Sequence, residues 1–462
     1  MVESSRGEPM GITIIGLGPG NPSLMTFEAR ELLEKAKEVY LRTKRHPAVD
    51  SLPHHLQLHS FDYLYETVET FEEIYERIAQ EILRLGERPE GVLYAVPGHP
   101  LVGEASAHRI LALAKEKGMP VTIVAGMSFL EPVFSLLEVD PLAGLQIGDA
   151  VTLASRLHPG LNPDTAALIG QLYSRTVASD LKLTLMNLYP DDHPVTLIQG
   201  AGTPEVKTRT IPLYELDHEE EIDHLTSLFI PPLSAPSSFT FLQDIVARLR
   251  SPDGCPWDRE QTPQSLRPYL LEETYEALEA LDLEDRERLC EELGDLLLEV
   301  VLQVQIAAEG GEFKMADVLQ GIIAKLIRRH PHVFGEGEAT TPSEVISHWQ
   351  EIKREEGQLA EGPFADLPAT MPALARAQRI QQVAPARGLV AARDEAELLA
   401  RVKKGLEEVS QLSAAAEEPV PSELEAVWGE LLFNLVALAN LKGVDAESAL
   451  RKAVRDFEKG LS

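Results

Sequence analysis

LRPYLLEETYEALEAL (residues 266–281) and CEELGDLLLEVVLQVQIAA (residues 290–308) decide how this chain is read. In the first, Leu266, Leu270, Ala277 and Leu281 recur at helical spacing, and Glu273 falls on their stripe three residues before Glu276. In the second, Glu292 and Asp295 repeat that spacing beside Leu289, Leu293, Leu296 and Val300, the stripe expected to face a helical core. Two helices are therefore predicted to carry paired carboxylates onto or against their buried faces. Four ionised carboxylates in one groove repel, and an uncompensated buried charge is costly. A divalent cation resolves the conflict, and hard oxygen ligands suit Mg²⁺. A solvated helix face accounts for any single Glu in a chain with 74 Asp and Glu. It does not account for ExxE followed by ExxD on two apolar-striped helices.

At 462 residues the chain is long enough for about three domains. Its 44% hydrophobic and 25% charged residues are those of a globular protein. A formal charge of −32 argues against a nucleic-acid polymer or an anionic membrane as partner, yet admits a nucleotide whose phosphates arrive with Mg²⁺. Cys255 and Cys290 are too few for a disulfide framework or a zinc cage. No run of about 18 apolar residues is read, and MVESSRGEPM lacks the apolar segment of a signal peptide. The expectation is a cytoplasmic protein with no membrane partner.

GITIIGLGPGNPSLMTFEARELLEKA (11–36) reads as strand, glycine-rich turn and helix, with Gly16, Gly18 and Gly20 permitting close approach of backbone to a ligand. The spacing is not the dinucleotide fingerprint, and a tight strand-to-helix connection explains it equally well. The histidines of RTKRHPAVDSLPHHLQLHSFDYLYE (42–66) have no metal-ligand spacing. Val68 to Gly86 is helical in pattern. GVLYAVPGHPLVGEAS (91–106) and PVTIVAGMSFLEPVFSLL (120–137) repeat strand, turn and helix, with turns at Gly98 to Pro100 and Gly126 to Ser128. Three such turns imply an α/β layer structure with a crevice along the strand ends. A second α/β unit is predicted from Ala150 to about Phe229, with strands at LKLTLMNLY (181–189), HPVTLIQGAG (193–202) and around VKTRTIPLYEL (206–216). FIPPLSAPSS (229–238) reads as a linker, and the pattern beyond it is helical.

GCPWD (254–258) is a turn ahead of a helix beginning near Ser265, where Pro268 is tolerated in the first turn. Gly310 and Gly311 break the next helix, and DVLQGIIAKLIRRHPHVFGE (317–336) supplies another with a cationic end. Lys325, Arg328 and Arg329 suit either a helix C-terminus or a phosphate clamp. Trp349 and Lys353 share one helix face beyond it, and 339–372 reads as a connecting arm. The final region weakly repeats the earlier one. Setting Gly429 against Gly294 puts Glu430 where Asp295 stands but Val427 where Glu292 stands, with Glu408 and Gln411 for the first pair. This copy is expected to pack without chemistry.

CPWDREQTPQSLRPYLLEETYEALEAL (255–281), EELGDLLLEVVLQVQIAAEGGEF (291–313) and KLIRRHPHVFGE (325–336) resemble the MazG family of nucleoside triphosphate pyrophosphohydrolases. IIGLGPGNPSLMT (14–26), AVPGHPLVGEAS (95–106) and VAGMS (124–128) resemble the tetrapyrrole (corrin/porphyrin) methylases, so the whole resembles the bacterial YabN-type fusion of the two. The resemblance implies a methylase-like domain over 10–230 with α/β subdomains at about 10–120 and 121–230, then a linker and first helix over 231–250. It implies an all-α MazG domain over 251–360 and a degenerate second repeat over 375–462. It further implies a dimer through the MazG helices, Mg²⁺ on Glu273, Glu276, Glu292 and Asp295, Lys325 and Arg329 on the triphosphate, and Arg328, Trp349 and Lys353 near the nucleotide. The implied reaction releases a nucleoside monophosphate and pyrophosphate as nucleotide-pool housecleaning, and Glu272 or Glu276 is the expected proton acceptor. For the other half the resemblance implies S-adenosylmethionine near Gly16, Gly18, Gly20, Pro97, Gly98, His99, Pro100, Met127 and Ser128. His99 stands where many methylases carry Asp. Two alternatives stay open: a methyltransferase using the helical half as a dimerising scaffold, and a non-catalytic nucleotide sensor.

Overall fold

The computed structural model describes residues 11–342, 344–345, 348–349, 352, 364, 367–389, 394–415 and 422–461. They form two compact units, one ending at Gly311 and one beginning at Glu312. The first unit opens with a five-stranded parallel sheet in the order β3-β2-β4-β1-β5, from β1 (Ile12–Gly16), β2 (Glu38–Leu41), β3 (Gln57–Ser60), β4 (Val92–Val96) and β5 (Val121–Val124). Its helices are α1 (Phe27–Lys35), α2 (Asp62–Thr67), α3 (Phe71–Gly86) and α4 (Ala105–Lys117). Strand β1 is almost wholly apolar because both sheet faces are covered. Ala29 and Leu33 of α1 pack with Ile15 and Val39, while Ile78, Ile82 and Ile110 of α3 and α4 pack with Ile14 and Tyr94.

The chain leaves β1 toward β2 on one side and leaves β4 toward β5 on the other. This reversal opens a crevice at the carboxyl ends of β1 and β4. The expected subdomain division at 120/121 is thereby corrected, because β5 pairs with β1 through Ile12 opposite Val121 and completes the first sheet. The crossing comes later, through α5 (Leu130–Leu137).

The second sheet runs β6-β7-β10-β8-β9, from β6 (Leu145–Asp149), β7 (Ala166–Gly170), β8 (Pro194–Gln199), β9 (Lys207–Pro212) and β10 (Thr226–Ile230). β6 and β7 are parallel and the other pairs antiparallel. Two helices follow β6 and β7 in turn, α6 (Ala150–Ala154) and α7 (Arg175–Leu185). The expected strand at 181–189 is a correction. Ser174 caps α7 by accepting from Val177 N, and Ala178, Leu181 and Leu185 are buried at helical spacing against Ile169, Leu197 and Leu228. Local alternation of Leu with Lys and Thr yields there to a face whose period is 3.6.

The Pro/Ser-rich run is anchored to the second subdomain. Asp164 accepts hydrogen bonds from Ser237 N at 2.7 Å, Ser238 N at 3.1 Å and Ser238 Oγ. Ser238 in turn caps α8 (Phe239–Leu249). α9 (Pro256–Glu260) and α10 (Arg267–Leu283) follow, with Pro268 in the first turn of α10. α10 stops at Glu284, in the left-handed region at φ 56°, and Asp285 caps α11 (Arg286–Glu309) by accepting from Arg288 N at 3.1 Å. So short a connection makes α10 and α11 an antiparallel pair. Arg250, after α8, pairs with Glu309 at the end of α11 at 2.8 Å, which ties this hairpin into the first unit.

The second unit holds α12 (Met315–Arg329), α13 (Pro331–Phe334), α14 (Ala373–Ala386), α15 (Glu395–Ala415), α16 (Ser422–Leu441) and α17 (Ala446–Leu461). Val427, matched in the sequence to Glu292, packs against Val402, Val409 and Leu431, so an apolar contact stands where the other hairpin has a carboxylate. At a mean hydropathy of 1.3, α16 is long and apolar enough by length and composition to cross a membrane, a run that the sequence reading did not expect. Here it packs against α15 and α14 with Leu424, Leu431, Asn434 and Val436 buried. The fold is thus an α/β half with two subdomains followed by a helical half.

Candidate active site

Glu276 on α10 and Glu292 on α11 lie at nearly equal chain distances from the hairpin turn, so antiparallel packing brings them opposite each other. One ligand oxygen from each of Glu273, Glu276 and Glu292 lies within 4.8 Å of the others. Glu292 is buried and the other two are half-buried. On α10 the small residues Ala277 and Ala280 are buried, which permits a close approach of α11. The Glu273 carboxyl is pushed above its ordinary value, first by burial and then by repulsion from Asp295, Glu276, Glu292 and Glu272. Asp295 is half-buried beside the trio, and Glu272 is exposed outside it.

The expected apolar stripe is a correction. Leu293 is 51%, Val300 40% and Leu281 55% exposed, while Glu292 and Glu299 of the same hairpin are buried. The carboxylates occupy the inner face and much of the leucine surface points away from the unit.

Two further charged residues lie on the same hairpin. Arg288 donates from Nε to Glu292 Oε1 at 3.1 Å and pairs through Nη1 with Glu279 Oε2 at 2.8 Å, bridging α11 to α10. Its spacing of four residues from Glu292 is the signal in the sequence. Glu299 shares the helix face of Glu292 and Asp295; its Oε2 is buried without a hydrogen-bond partner, and burial pushes its carboxyl up.

Lys325, Arg328 and Arg329 lie in the last part of α12, in the second unit. Lys325 and Arg329 are half-buried and Arg328 is exposed. Trp349 stands edge-on to His330 with ring centroids 5.2 Å apart, which brings it to the end of α12. Lys353 lies outside the described residues.

In the α/β half, the three glycine turns close on one another at the crevice. Gly18 and Gly98 exchange backbone hydrogen bonds of 3.3 and 2.8 Å. A methyl group on Gly16 or on Gly126 would sit 2.3 Å from Gly98 O, and Gly98 itself has φ 65°. Pro97 and Pro100 flank that turn, and His99 Nδ1 accepts from Leu101 N at 3.0 Å. The His99 ring thus serves as a hydrogen-bond acceptor within the turn. Met127 is half-buried, and Ser128 donates from Oγ to Glu131 Oε2 at 2.7 Å. From the second subdomain, Gly202 O accepts from Asn21 N at 2.9 Å, and Thr203 Cγ2 would stand 2.8 Å from a methyl group on Gly20. Such a backbone-walled crevice admits a ligand close to the main chain.

Residues 11–217 match the family model of the tetrapyrrole (corrin/porphyrin) methylases, and residues 261–334 match that of the MazG nucleotide pyrophosphohydrolase domain. Fold and site together define a fusion of a methylase domain with a MazG pyrophosphohydrolase domain. The chain is 38% identical over 457 residues to the uncharacterized protein YabN of Bacillus subtilis, covering 98% of this chain and 92% of that one. It is also 44% identical over 220 residues to the nucleoside triphosphate pyrophosphohydrolase/pyrophosphatase MazG of Thermotoga maritima, covering 47% of this chain and 82% of that protein. The nucleoside triphosphate pyrophosphohydrolase of Escherichia coli K12 is 44% identical over 223 residues, covering 47% and 83%. The chain belongs to the YabN family of methylase–MazG fusions.

Proposed function

We propose that the helical half hydrolyses nucleoside triphosphates to nucleoside monophosphate and pyrophosphate, with Mg²⁺ on Glu273, Glu276, Glu292 and Asp295, and that the α/β half binds S-adenosylmethionine. The observation that carries the reading is the convergence of three carboxylates within 4.8 Å, with the Glu273 carboxyl pushed up by burial and then by its acidic neighbours. An all-oxygen donor set of this kind fits a hard divalent cation. When bound, such a cation neutralises carboxylate and phosphate oxygens and acidifies a bound water.

The chain's own groups supply the rest. Glu276, or Glu272 at the rim, takes the proton of the attacking water. Lys325 and Arg329 offset charge on the leaving pyrophosphate, and Arg328, Trp349 and Lys353 hold the nucleotide. Two relatives named as nucleoside triphosphate pyrophosphohydrolases across this half support the substrate class. The exposed Leu281, Leu293 and Val300 support a homodimer that covers them. The acidic composition and the two cysteines support a cytoplasmic role in nucleotide-pool housecleaning. The crevice in which a methyl group on Gly16 would meet Gly98 O supports the S-adenosylmethionine site.

Glu292→Gln or Asp295→Asn is expected to abolish Mg²⁺-dependent pyrophosphate release while the helical circular dichroism is kept. Turnover retained by both variants overturns the assignment.

A further inference from the structure

The metal reading of the helical hairpin leaves Glu299 without a task. It is 7% exposed, its Oε2 meets no hydrogen-bond donor, and among the described residues no cation pairs with it. A buried carboxyl in that state is costly unless a ligand completes it. It does not belong with the ion. Glu299 follows Glu292 on α11 by two helical turns, so it keeps that residue's heading but stands about 10 Å further along the axis. Two contacts fix what lies opposite. Arg288 Nη1 meets Glu279 Oε2 at 2.8 Å and Gln303 Nε2 donates to Pro263 O at 3.3 Å, a register that sets Glu299 level with Tyr269. Tyr269 precedes Glu276 by the same two turns, so the Tyr269–Glu299 pair repeats the Glu276–Glu292 pair further along the hairpin, with an aromatic ring in place of an acid.

A second ring extends this surface. Trp257 of α9 stands edge-on to Tyr269 with centroids 5.8 Å apart, and the two rings are 50% and 38% exposed. A buried clasp sets their position. Arg250 donates to the carbonyls of Asp258 and of Gln261, the latter at 3.4 Å, and holds Glu309 of α11 at 2.8 Å. Gln261 Nε2 donates in turn to the Trp257 carbonyl at 3.0 Å. α9 is thus fastened to the hairpin, and its tryptophan is kept beside Tyr269. The result is an aromatic platform with an unsatisfied carboxyl oxygen at its inner end. A half-turn about the terminal torsion of Glu299 brings that oxygen to an arriving donor, and such torsions are soft.

We infer that this platform seats the base of the triphosphate substrate and that Glu299 selects a nucleobase carrying an exocyclic amino group. The subsite rests on the hydrolase reading of the hairpin, which it deepens. Stacking on Trp257 and Tyr269 accepts any base, since each has a π-face. The carboxylate does not. It accepts from the amino group of cytosine or adenine, whereas the carbonyl oxygen that uracil or hypoxanthine offers in its place repels it and leaves a buried charge unpaired. Two helical turns from the carboxylate trio also match the reach from a nucleotide's phosphates to its base, with the sugar between.

The test measures Mg²⁺-dependent pyrophosphate release by the full chain from CTP against UTP and from ATP against ITP, at mildly alkaline pH so that a carboxyl pushed up by burial is ionised. The wild type is expected to favour each amino base by about tenfold or more in kcat/KM. Glu299→Gln, which offers a donor as well as an acceptor in the same shape, is expected to bring both ratios toward one, a change that a purely structural role would not produce. Trp257→Leu, at a half-exposed ring, is expected to raise KM several-fold for all four triphosphates with kcat little changed. Equal use of amino and oxo bases by the wild type, ratios unmoved by Glu299→Gln, or a KM unmoved by Trp257→Leu overturns the inference and leaves the hydrolase reading standing. If no triphosphate is turned over, the hydrolase reading falls, and saturation-transfer NMR with CMP and UMP decides the subsite: saturation of the cytosine alone upholds it, and equal saturation or none overturns it.

Discussion

Replacing Glu273 by Gln should make the metal-free protein more stable and the metal-loaded protein less so. Glu276 and Glu292 each bring an oxygen within 4.8 Å of one on Glu273. Two like charges at that spacing repel by about 1 kcal/mol in water-like surroundings and about 3 kcal/mol at an effective dielectric of 20. Half-exposure and salt keep the value near the lower figure, so removing one charge from two neighbours relieves ~2 kcal/mol. For a unit that runs to Gly311 that corresponds to a rise of about 3 °C in Tm. The sign with pH follows from the raised Glu273 carboxyl. Stability linked to its proton is complete below the unfolded value and is lost as pH rises through the higher folded value. In chelator, the variant's advantage should therefore grow from acid toward neutral pH. Saturating Mg²⁺ should reverse the order, since a cation present at 100 times its Kd adds about 2.7 kcal/mol to a site that binds it. Thermal melts followed by circular dichroism, with chelator and with Mg²⁺ at several pH values, make the measurement. A variant that is less stable than the wild type in chelator at neutral pH, yet gains as much from Mg²⁺, would refute the reasoning.

Gly16→Ala places a methyl group 2.3 Å from Gly98 O, which forces the turns apart. Calorimetry should show loss of S-adenosylmethionine binding and melting should show a cost of about 1–3 kcal/mol, with pyrophosphate release retained. Arg288→Gln removes the cation that bridges Glu292 and Glu279. The metal-free melting point should fall and Mg²⁺ should bind several-fold more tightly by calorimetry, because a competitor for Glu292 is gone; weaker Mg²⁺ binding contradicts that role.

The carboxylate site was legible because spacings of three on two striped helices place Glu273, Glu276 and Glu292 on facing surfaces whatever encloses them. What covers the leucines was not. Periodicity groups Leu293 and Val300 on one face but cannot distinguish a face buried within the chain from one left outward. The glycine turns declared themselves through composition, whereas assigning β5 to the first sheet required knowing its pairing with β1, which no local pattern carries. The segment 181–189 misled because Leu, Lys and Thr alternate there, while its cap at Ser174 and its buried partner Ala178 lie upstream. Arg288 was passed over as one charge among many until its contacts with Glu279 and Glu292 set it apart.

The Asp164 clamp on Ser237 and Ser238 changes how this protein should be dissected. A truncation placed in the proline-rich run would strip α8 of the carboxylate that fastens its start, while the Arg250–Glu309 pair, both members of which lie beyond that run, would stay with the α10–α11 hairpin. The division between Gly311 and Glu312 falls inside the MazG match over 261–334, so a cut there would part the hairpin of Glu273, Glu276 and Glu292 from Lys325 and Arg329.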